Sequence, residues 1–410
     1  MSVMEKKAVQ KVAGGSILSP EGFKAGGLHI GLRYEKKDFG VVYSETPAQS
    51  AAVYTKSHFQ AAPLKVTQES ISAAGILQAV VCNSAIANAC TGEQGLKDAL
   101  KTRELIAKRF KLPEEYVAVA STGVIGECLP MEKMEQGCSD IAVHRDYNSA
   151  KSFQQAILTT DTVEKASCVE VVIDGKTVTI GGAAKGSGMI HPNMGTMLGF
   201  ITTDANIASP VLQSALKKAV NTSFNQITVD GETSTNDMVI VMANGAAGNK
   251  PLNENHPDWV HFQEGITLLC EDLAKQIARD GEGATKLVEV EVNGAHSTED
   301  ANIIAKKIVG SNLVKTAIYG ADPNWGRIVG AMGHSDVTLQ PETCDIHIGD
   351  ELVFSNGTPQ VFNEQSVSEY MKNEEHVVIK VLLQDGQGDG KAWGCDLTYD
   401  YVKINASYRT

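Results

Sequence analysis

Residues 167–182, SCVEVVIDGKTVTIGG, alternate apolar and polar side chains on both sides of Asp174-Gly175. An Asp-Gly pair between two alternating runs is the strongest short-range signal for a two-residue hairpin, because both turn positions need positive φ. The chain is thereby committed to an antiparallel pair of strands. The sheet so begun leads straight into residues 186–205, GSGMIHPNMGTMLGFITTDA, which are crowded with glycine, methionine and threonine and match no ordinary core element.

The flanking pattern is mixed. Helical periodicity in LKDALKTRELIAKRF (96–110) precedes a buried strand in YVAVASTGVIG (116–126) that ends in a glycine turn, and Pro130 marks the first turn of the next helix. Beyond the central segment, Ser209 caps a helix with Pro210 behind it, and Trp259, Phe262, Ile266, Leu269, Leu273 and Ile277 share one face of another. The C-terminal third offers strands in KLVEVEVNG, EEHVVIKVLLQ and GCDLTYDYVKI, interleaved with helices in STEDANIIAKKIVG and NEQSVSEYMKN. A layered α/β (α+β) fold follows, and 410 residues exceed what one core usually serves. Without repeats, low-complexity tracts or a linker, the expectation is one continuous body with subdomains.

Charge narrows the function classes. The net charge of −13 is spread along the chain, which argues against nucleic acid or an anionic membrane as partner. The eight cysteines form no CxxC pair, so they read as reduced core residues and no metal site is expected. The N-terminal residues form no signal-like apolar run and no later segment reaches about 20 apolar residues, which makes the cytoplasm the expected location.

The central segment places Thr196 after Gly195 and before the apolar run MLGFI. By itself such a pair is explained by a core threonine bonded to a nearby carbonyl. A sharper chemistry opens if the Gly195–Thr196 peptide bond is cut: the freed α-amine, with an ordinary pKa of about 7.7–8.0, can take the proton of the threonine hydroxyl on its own residue. Glycine before the threonine leaves the attacked carbonyl unshielded. Thr122 and Gly123, in ASTGVIGE, supply a hydroxyl and a turn amide suited to a developing oxyanion, or else a plain strand-to-helix turn. GGAAKGSGM lacks the spacing of a phosphate loop, so Lys185 is read as a cation near the threonine. Polar residues also gather in LTTDT (Thr159, Thr160), DGEGATK (Glu282) and the terminal INASYRT (Asn405, Thr410); each has a local explanation as strand threonine, solvated acid or turn former.

Together these pieces resemble the ornithine acetyltransferase family, also called glutamate N-acetyltransferase, of cyclic arginine biosynthesis. The resemblance runs from GGSILSPEGFKAGGLHIGLR and TKSHFQAAP through NSAIANACTG, STGVIGE, LTTDT, KGSGMIHPNMGTMLGFITTDA, TVDGETSTND and DGEGATK to YGADPNWGRI and YDYVKINASYRT. It implies a self-cut between Gly195 and Thr196, giving an α chain of residues 1–195 and a β chain of 196–410, associated as an α2β2 heterotetramer. It implies Thr196 as nucleophile, Thr122 and Gly123 as oxyanion pair, and Thr159, Lys185, Thr196, Glu282, Asn405 and Thr410 as substrate contacts. The implied reaction is ping-pong: N-acetylornithine acetylates Thr196, ornithine leaves, and glutamate takes the acetyl group without a dissociable cofactor. The implied fold is an α/β/α sandwich similar in architecture to self-processing N-terminal nucleophile hydrolases.

Two residues depart from the commoner family pattern. Gly195 and His191 stand where many members carry alanine; cleavage is still expected, and His191, a proton shuttle or a hydrogen-bonded core histidine, is not counted as catalytic. Three alternatives stay open. Acetyl-CoA is undecided as a second acetyl donor, a threonine amidase or aminopeptidase would pass the acyl group to water, and an uncleaved amino-acid-binding protein would keep the fold without the chemistry.

Overall fold

The computed structural model describes residues 7–192 and 197–407, so Gly195, Thr196 and Thr410 lie outside the described residues. The chain forms two compact units, one of Met1–Gly186, Asn193–Asn221 and Thr233–Leu273, the other of Ser187–Pro192, Thr222–Glu232 and Ala274–Thr410. Each draws on both sides of position 195, so the units are distinct from the two chains that a cut there would make.

Among the described residues the first unit is built on a nine-stranded sheet. Its strands are β1 (Val9–Lys11), β2 (Phe23–Leu28), β3 (Phe39–Tyr54), β4 (Ile76–Asn83), β5 (Val117–Ser121), β6 (Lys165–Ile173), β7 (Lys176–Lys185), β8 (Leu198–Thr203) and β9 (Met238–Ala243). They run in the order β1-β6-β7-β8-β9-β3-β4-β5, with β2 beside β3. The hairpin read from sequence is β6–β7: Ile173 faces Lys176, and Asp174 and Gly175 have φ of 51° and 72°, as a type I′ turn needs. In β3, Pro47 lacks the N–H a ladder requires and lies where the register with β4 slips between Tyr43 and Ala48.

Alternation along the strands feeds two cores. On one face Val81, Val117 and Val119 meet Val66 of α1 (Ala62–Ala74), Ile106 of α2 (Gly92–Phe110) and Met134 of α3 (Met131–Asp140). On the other, Val80, Cys82, Ala118 and Ala120 join Phe153 of α4 (Tyr147–Ala156) and Phe200 of β8. The unit is therefore an α/β/α sandwich, as expected. In α5 (Ser209–Asn221) Ser209 is the first helical residue, and instead of capping, its hydroxyl donates to the Ser50 carbonyl at 2.7 Å. In α6 (Trp259–Arg279) the expected stripe of Phe262, Ile266, Leu269, Leu273 and Ile277 is fully buried, and Trp259 is half-buried at its start.

The second unit carries β10 (Leu287–Ala295), β11 (Asp345–Ile348), β12 (Glu351–Ser355), β13 (Thr358–Pro359), β14 (His376–Leu382) and β15 (Gly388–Cys395), in the order β13-β12-β11-β14-β10-β15. Val288, Val290 and Val292 of β10 turn toward α7 (Thr298–Gly310), α8 (Asn312–Tyr319), α9 (Trp325–Met332) and α10 (Glu364–Asn373). The alternate residues Glu289 and Glu291 pair with Lys391 on the charged face. The unit is thus two-layered, with helices on one face.

Two expectations are corrected. The strand expected over GCDLTYDYVKI ends at Cys395, and α11 (Tyr399–Ala406) follows because the Thr398 hydroxyl accepts from Asp400 N at 3.2 Å. Beyond Thr398 no residue of that stretch is buried, and Tyr399 and Val402 are exposed. Among the cysteines, Cys90 and Cys128 are exposed, since both sit in loops beside glycine turns, whereas the other six are buried; all eight are free. No helix among the described residues is long and apolar enough to cross a membrane.

Phe153 is fully buried, edge-on to Phe200 with ring centroids 5.3 Å apart. Phe153→Ala is expected to destabilise the protein by about 3–5 kcal/mol in denaturant titrations, and a loss under about 1 kcal/mol would show that this core collapses around the cavity.

Candidate active site

Thr122 and Gly123 of the first unit are held by a chain segment some way off in sequence. β5 ends at Ser121; the next amide, Thr122 N, donates to the Asn83 carbonyl at 3.0 Å, and Val124 N donates to the Ala85 carbonyl at 2.8 Å. Between them, Gly123 N has no acceptor among the described residues. Only glycine fits there: its φ is +131°, and a Cβ would sit 2.1 Å from the Ala85 carbonyl carbon and oxygen. Ala85 itself has φ of 83°. The turn is locked by buried amides: Ser121 Oγ donates to Asn83 Oδ1 at 2.6 Å, and Asn236 Nδ2 donates to the Ser121 carbonyl at 2.8 Å and the Ala87 carbonyl at 2.6 Å.

Lys185, at the end of β7, is buried and points its ammonium 3.4 Å from Thr122 Oγ1. An ammonium donating to that oxygen leaves the threonine hydroxyl hydrogen free to point elsewhere. Asp161 organises the rest. Its Oδ1 accepts from Lys165 Nζ at 2.8 Å and Gly186 N at 2.6 Å, and its Oδ2 accepts from Thr159 N at 3.0 Å. Both side chains of the Lys165–Asp161 pair have 0% exposure. Burial pushes the Asp161 carboxyl up, but Lys185 and Lys165 outweigh it and hold it well below the usual carboxylate range. Arg33 adds Nη1 to the Leu158 carbonyl at 2.6 Å and Nη2 to the Thr159 carbonyl at 2.9 Å. Thr122, Gly123, Thr159 and Lys185 are thus gathered in one network.

The second unit holds Glu282 and Asn405. Asn405 Nδ2 donates to Glu282 Oε2 at 2.7 Å, and Glu282 N donates to the Ser187 carbonyl at 3.1 Å. Gly188 lies against the carboxyl group, so that a Cβ there would come within 2.3 Å of it. Burial first, then the negative charges of Asp230 and Glu282, push the Tyr401 phenol up. The segment Ser187–Pro192 is clamped within the same unit. Asp230 accepts from Met189 N at 2.6 Å and Ile190 N at 2.8 Å, Val229 N donates to the Ile190 carbonyl at 2.7 Å, and Lys306 donates to the Pro192 carbonyl. His191 Nδ1 lies 3.0 Å from Thr228 Oγ1, and burial followed by Lys306 and Lys307 pushes its pKa down to about 4, so the ring is neutral at pH 7.

Gly195, Thr196 and Thr410 lie outside the described residues. The sequence reading missed Asp161, Lys165, Asn83, Asn236 and Asp230. Asp161 stood inside the quoted LTTDT, where the hydroxyls drew attention; an acid followed four residues later by a lysine at the head of an apolar strand was the available signal.

Residues 24–410 match the model of a family described as the ArgJ family. The arginine biosynthesis bifunctional protein ArgJ of Geobacillus kaustophilus is 63% identical over 402 residues, 98% of each chain. That of Bacillus subtilis is 60% identical over 410 residues, the full length of both. The ornithine acetyltransferase of Mycobacterium tuberculosis, solved in complex with ornithine, is 33% identical over 46% of this chain and 99% of its own, with a TM-score of 0.43.

Asp161→Asn leaves Lys165 charged and buried without its partner, and is expected to cost about 3–5 kcal/mol, with Asp161→Asn/Lys165→Met losing less than the two single variants added. The pH dependence has a definite sign. The folded carboxyl titrates below the unfolded value of about 3.9, so its contribution is complete above about pH 5 and is lost as pH falls through 4 toward the folded value. Unfolding titrations between about pH 2 and 6 should show a shallower acid limb in Asp161→Asn, and an unchanged limb would refute the ionised pair.

Proposed function

The chain belongs to the ArgJ family, and from that premise we propose that it is a self-cleaving acetyltransferase of arginine biosynthesis, moving an acetyl group from N-acetylornithine to glutamate through Thr196. The observation that carries this reading is the free Gly123 amide set between two amides already spent on Asn83 and Ala85, with the Thr122 hydroxyl beside Lys185. A pre-oriented donor with no acceptor among the described residues is what a developing oxyanion needs.

In processing, Thr196 Oγ attacks the Gly195 carbonyl carbon, the Gly195–Thr196 C–N bond breaks as its nitrogen takes a proton, and water hydrolyses the resulting ester. The products are a Gly195 carboxylate and a free Thr196 amine. That amine then takes the Thr196 hydroxyl proton, and Oγ attacks the acetyl carbonyl of N-acetylornithine. Gly123 N–H and Thr122 O–H are assigned to the tetrahedral oxyanion. Collapse breaks the amide C–N bond, the proton returns to the leaving ornithine amine, and an acetyl-threonine ester remains. The glutamate amine attacks that ester and gives up a proton to the Thr196 amine; the acetyl C–Oγ bond breaks, Oγ takes that proton, and N-acetylglutamate leaves. The acetyl group travels on the protein, so no dissociable cofactor enters.

Lys185 is assigned to a substrate carboxylate and Glu282 to an ammonium, with Asn405 holding the Glu282 carboxylate; Thr159 and Thr410 complete the substrate set. Residues 1–195 and 196–410 form the α and β chains of an α2β2 heterotetramer working in the cytoplasm. Acetyl-CoA as a second donor is tested by the rate of glutamate acetylation with acetyl-CoA alone.

Intact mass under denaturing conditions should show two chains meeting between Gly195 and Thr196, and Thr196→Ala should leave one chain of 43.7 kDa without transfer activity. A cleaved, active Thr196→Ala protein would sink the mechanism. Thr122→Ala is expected to lower kcat by about 10²–10³ with little change in KM, since the hydroxyl serves the oxyanion and not the ground state. Ornithine release at one rate with and without glutamate would move the assignment to an amidase.

A further inference from the structure

The second unit contains a pocket of about 700 Å³ that the transfer chemistry does not use. Its size falls in the range of about 300–1,000 Å³ typical of sites that enclose an organic ligand. Lys306 and Lys307 of α7, Arg327 of α9 and His334 just past α9 line it, with Ile303 and Leu313 as apolar wall. None of its described lining residues is Asp or Glu, in a chain whose net charge is −13. The field this creates is registered at His191, also in the wall, whose protonation is opposed by burial and then by Lys306 and Lys307.

The cations differ in availability. Lys306 is anchored, donating to the Pro192 and Asn225 carbonyls, and contributes charge without reach. Lys307 is exposed and has no ion-pair partner among the described residues. Arg327 spends Nη1 on the Leu313 carbonyl at 2.8 Å and Thr316 Oγ1 at 3.1 Å, which fixes the guanidinium plane and leaves its other nitrogens to a ligand. Beside these cations, His334 Nδ1 lies 2.8 Å from the Gly330 carbonyl, which fixes the ring in the wall.

The backbone is open as well. Gly330, inside α9, would meet nothing within 4 Å if given a Cβ, and so would Gly231. A glycine within a helix costs about 1 kcal/mol relative to alanine, and here no protein group packs close enough to require it. What the missing side chain does is keep the pocket wide.

We infer that this pocket binds a phosphate-bearing small molecule of the nucleotide class, its phosphates on Lys307 and Arg327 and its organic body against Ile303 and Leu313. Several converging cations with no acid among them suit a multiply charged anion better than a single carboxylate. The cavity is far larger than a bare phosphate requires, and its apolar wall calls for an organic body.

The test is calorimetric titration of the full processed protein with ADP, inorganic phosphate and glutamate at low and high salt. ADP should bind, more weakly as salt rises, and both Lys307→Glu and Gly330→Leu should weaken it at least tenfold, the second by filling the cavity from a helix position where leucine is favoured. Acetyl exchange between N-acetylornithine and glutamate should be unchanged in both variants, which keeps this inference separate from the proposed activity. Absence of ADP binding at millimolar concentration, equal affinity in Lys307→Glu, or inorganic phosphate binding as tightly as ADP would each overturn it. Loss of exchange together with binding would assign the pocket to the transfer site and overturn its independence.

Discussion

A carboxylate with no access to water stays ionised only where fixed charges and donors replace its hydration. Asp161 meets that condition with Lys165, Lys185 and the amides of Thr159 and Gly186. The dependence runs both ways. Lys165 has no exposure and pairs with Asp161, and the end of β7, which carries Lys185, is tied down through the Gly186 amide. The position of Lys185 relative to Thr122 therefore rests in part on the Asp161–Lys165 pair.

The second constraint is backbone geometry. Donors stabilise a transition state in proportion to how little they must reorganise, so the turn after β5 has to be rigid before any ligand arrives. It is made rigid by spending every neighbouring group: Thr122 N, Val124 N, the Ser121 hydroxyl and the Ser121 carbonyl are all bonded. The left-handed backbone at Ala85 brings its carbonyl so close that position 123 admits only glycine. Among the described residues the Gly123 amide alone of the three consecutive amides Thr122–Val124 has no acceptor.

Local signals were legible where local physics decides. The Asp174-Gly175 turn, the α6 stripe and the glycine turn after β5 all depend on a few consecutive residues, and the sequence reading matched them. GCDLTYDYVKI failed because a period-two pattern says nothing about whether the face is buried, while one capping hydroxyl at Thr398 was enough to start a helix. Asn83, Asn236 and Asp161 could not be ranked from composition or spacing. Their roles exist only once β4, β5 and the loop before β9 lie together, and an asparagine in NSAIANACTG or TSTND looks like any turn former until that happens.

Cleavage and association place opposite demands on the chain around position 195. The proposed reaction needs Thr196 Oγ to reach the Gly195 carbonyl, and the two proposed chains to stay together afterwards. Upstream of the bond, Asp230 holds Met189 and Ile190, Val229 holds Ile190, and Lys306 holds Pro192, all within the second unit and all short of the cut. Met189 is held there with φ of 54°, a conformation that a free chain would leave. None of these bonds involves Gly195 or Thr196. A cut between them therefore removes one covalent link and leaves the clamp intact, with the new carboxyl terminus three residues beyond an anchored proline. The same six-residue segment supplies His191 to the cationic pocket and Gly188 to the Glu282 corner. Under the proposed cut, the bonds that hold residues 187–192 would thus also keep the walls of both features standing.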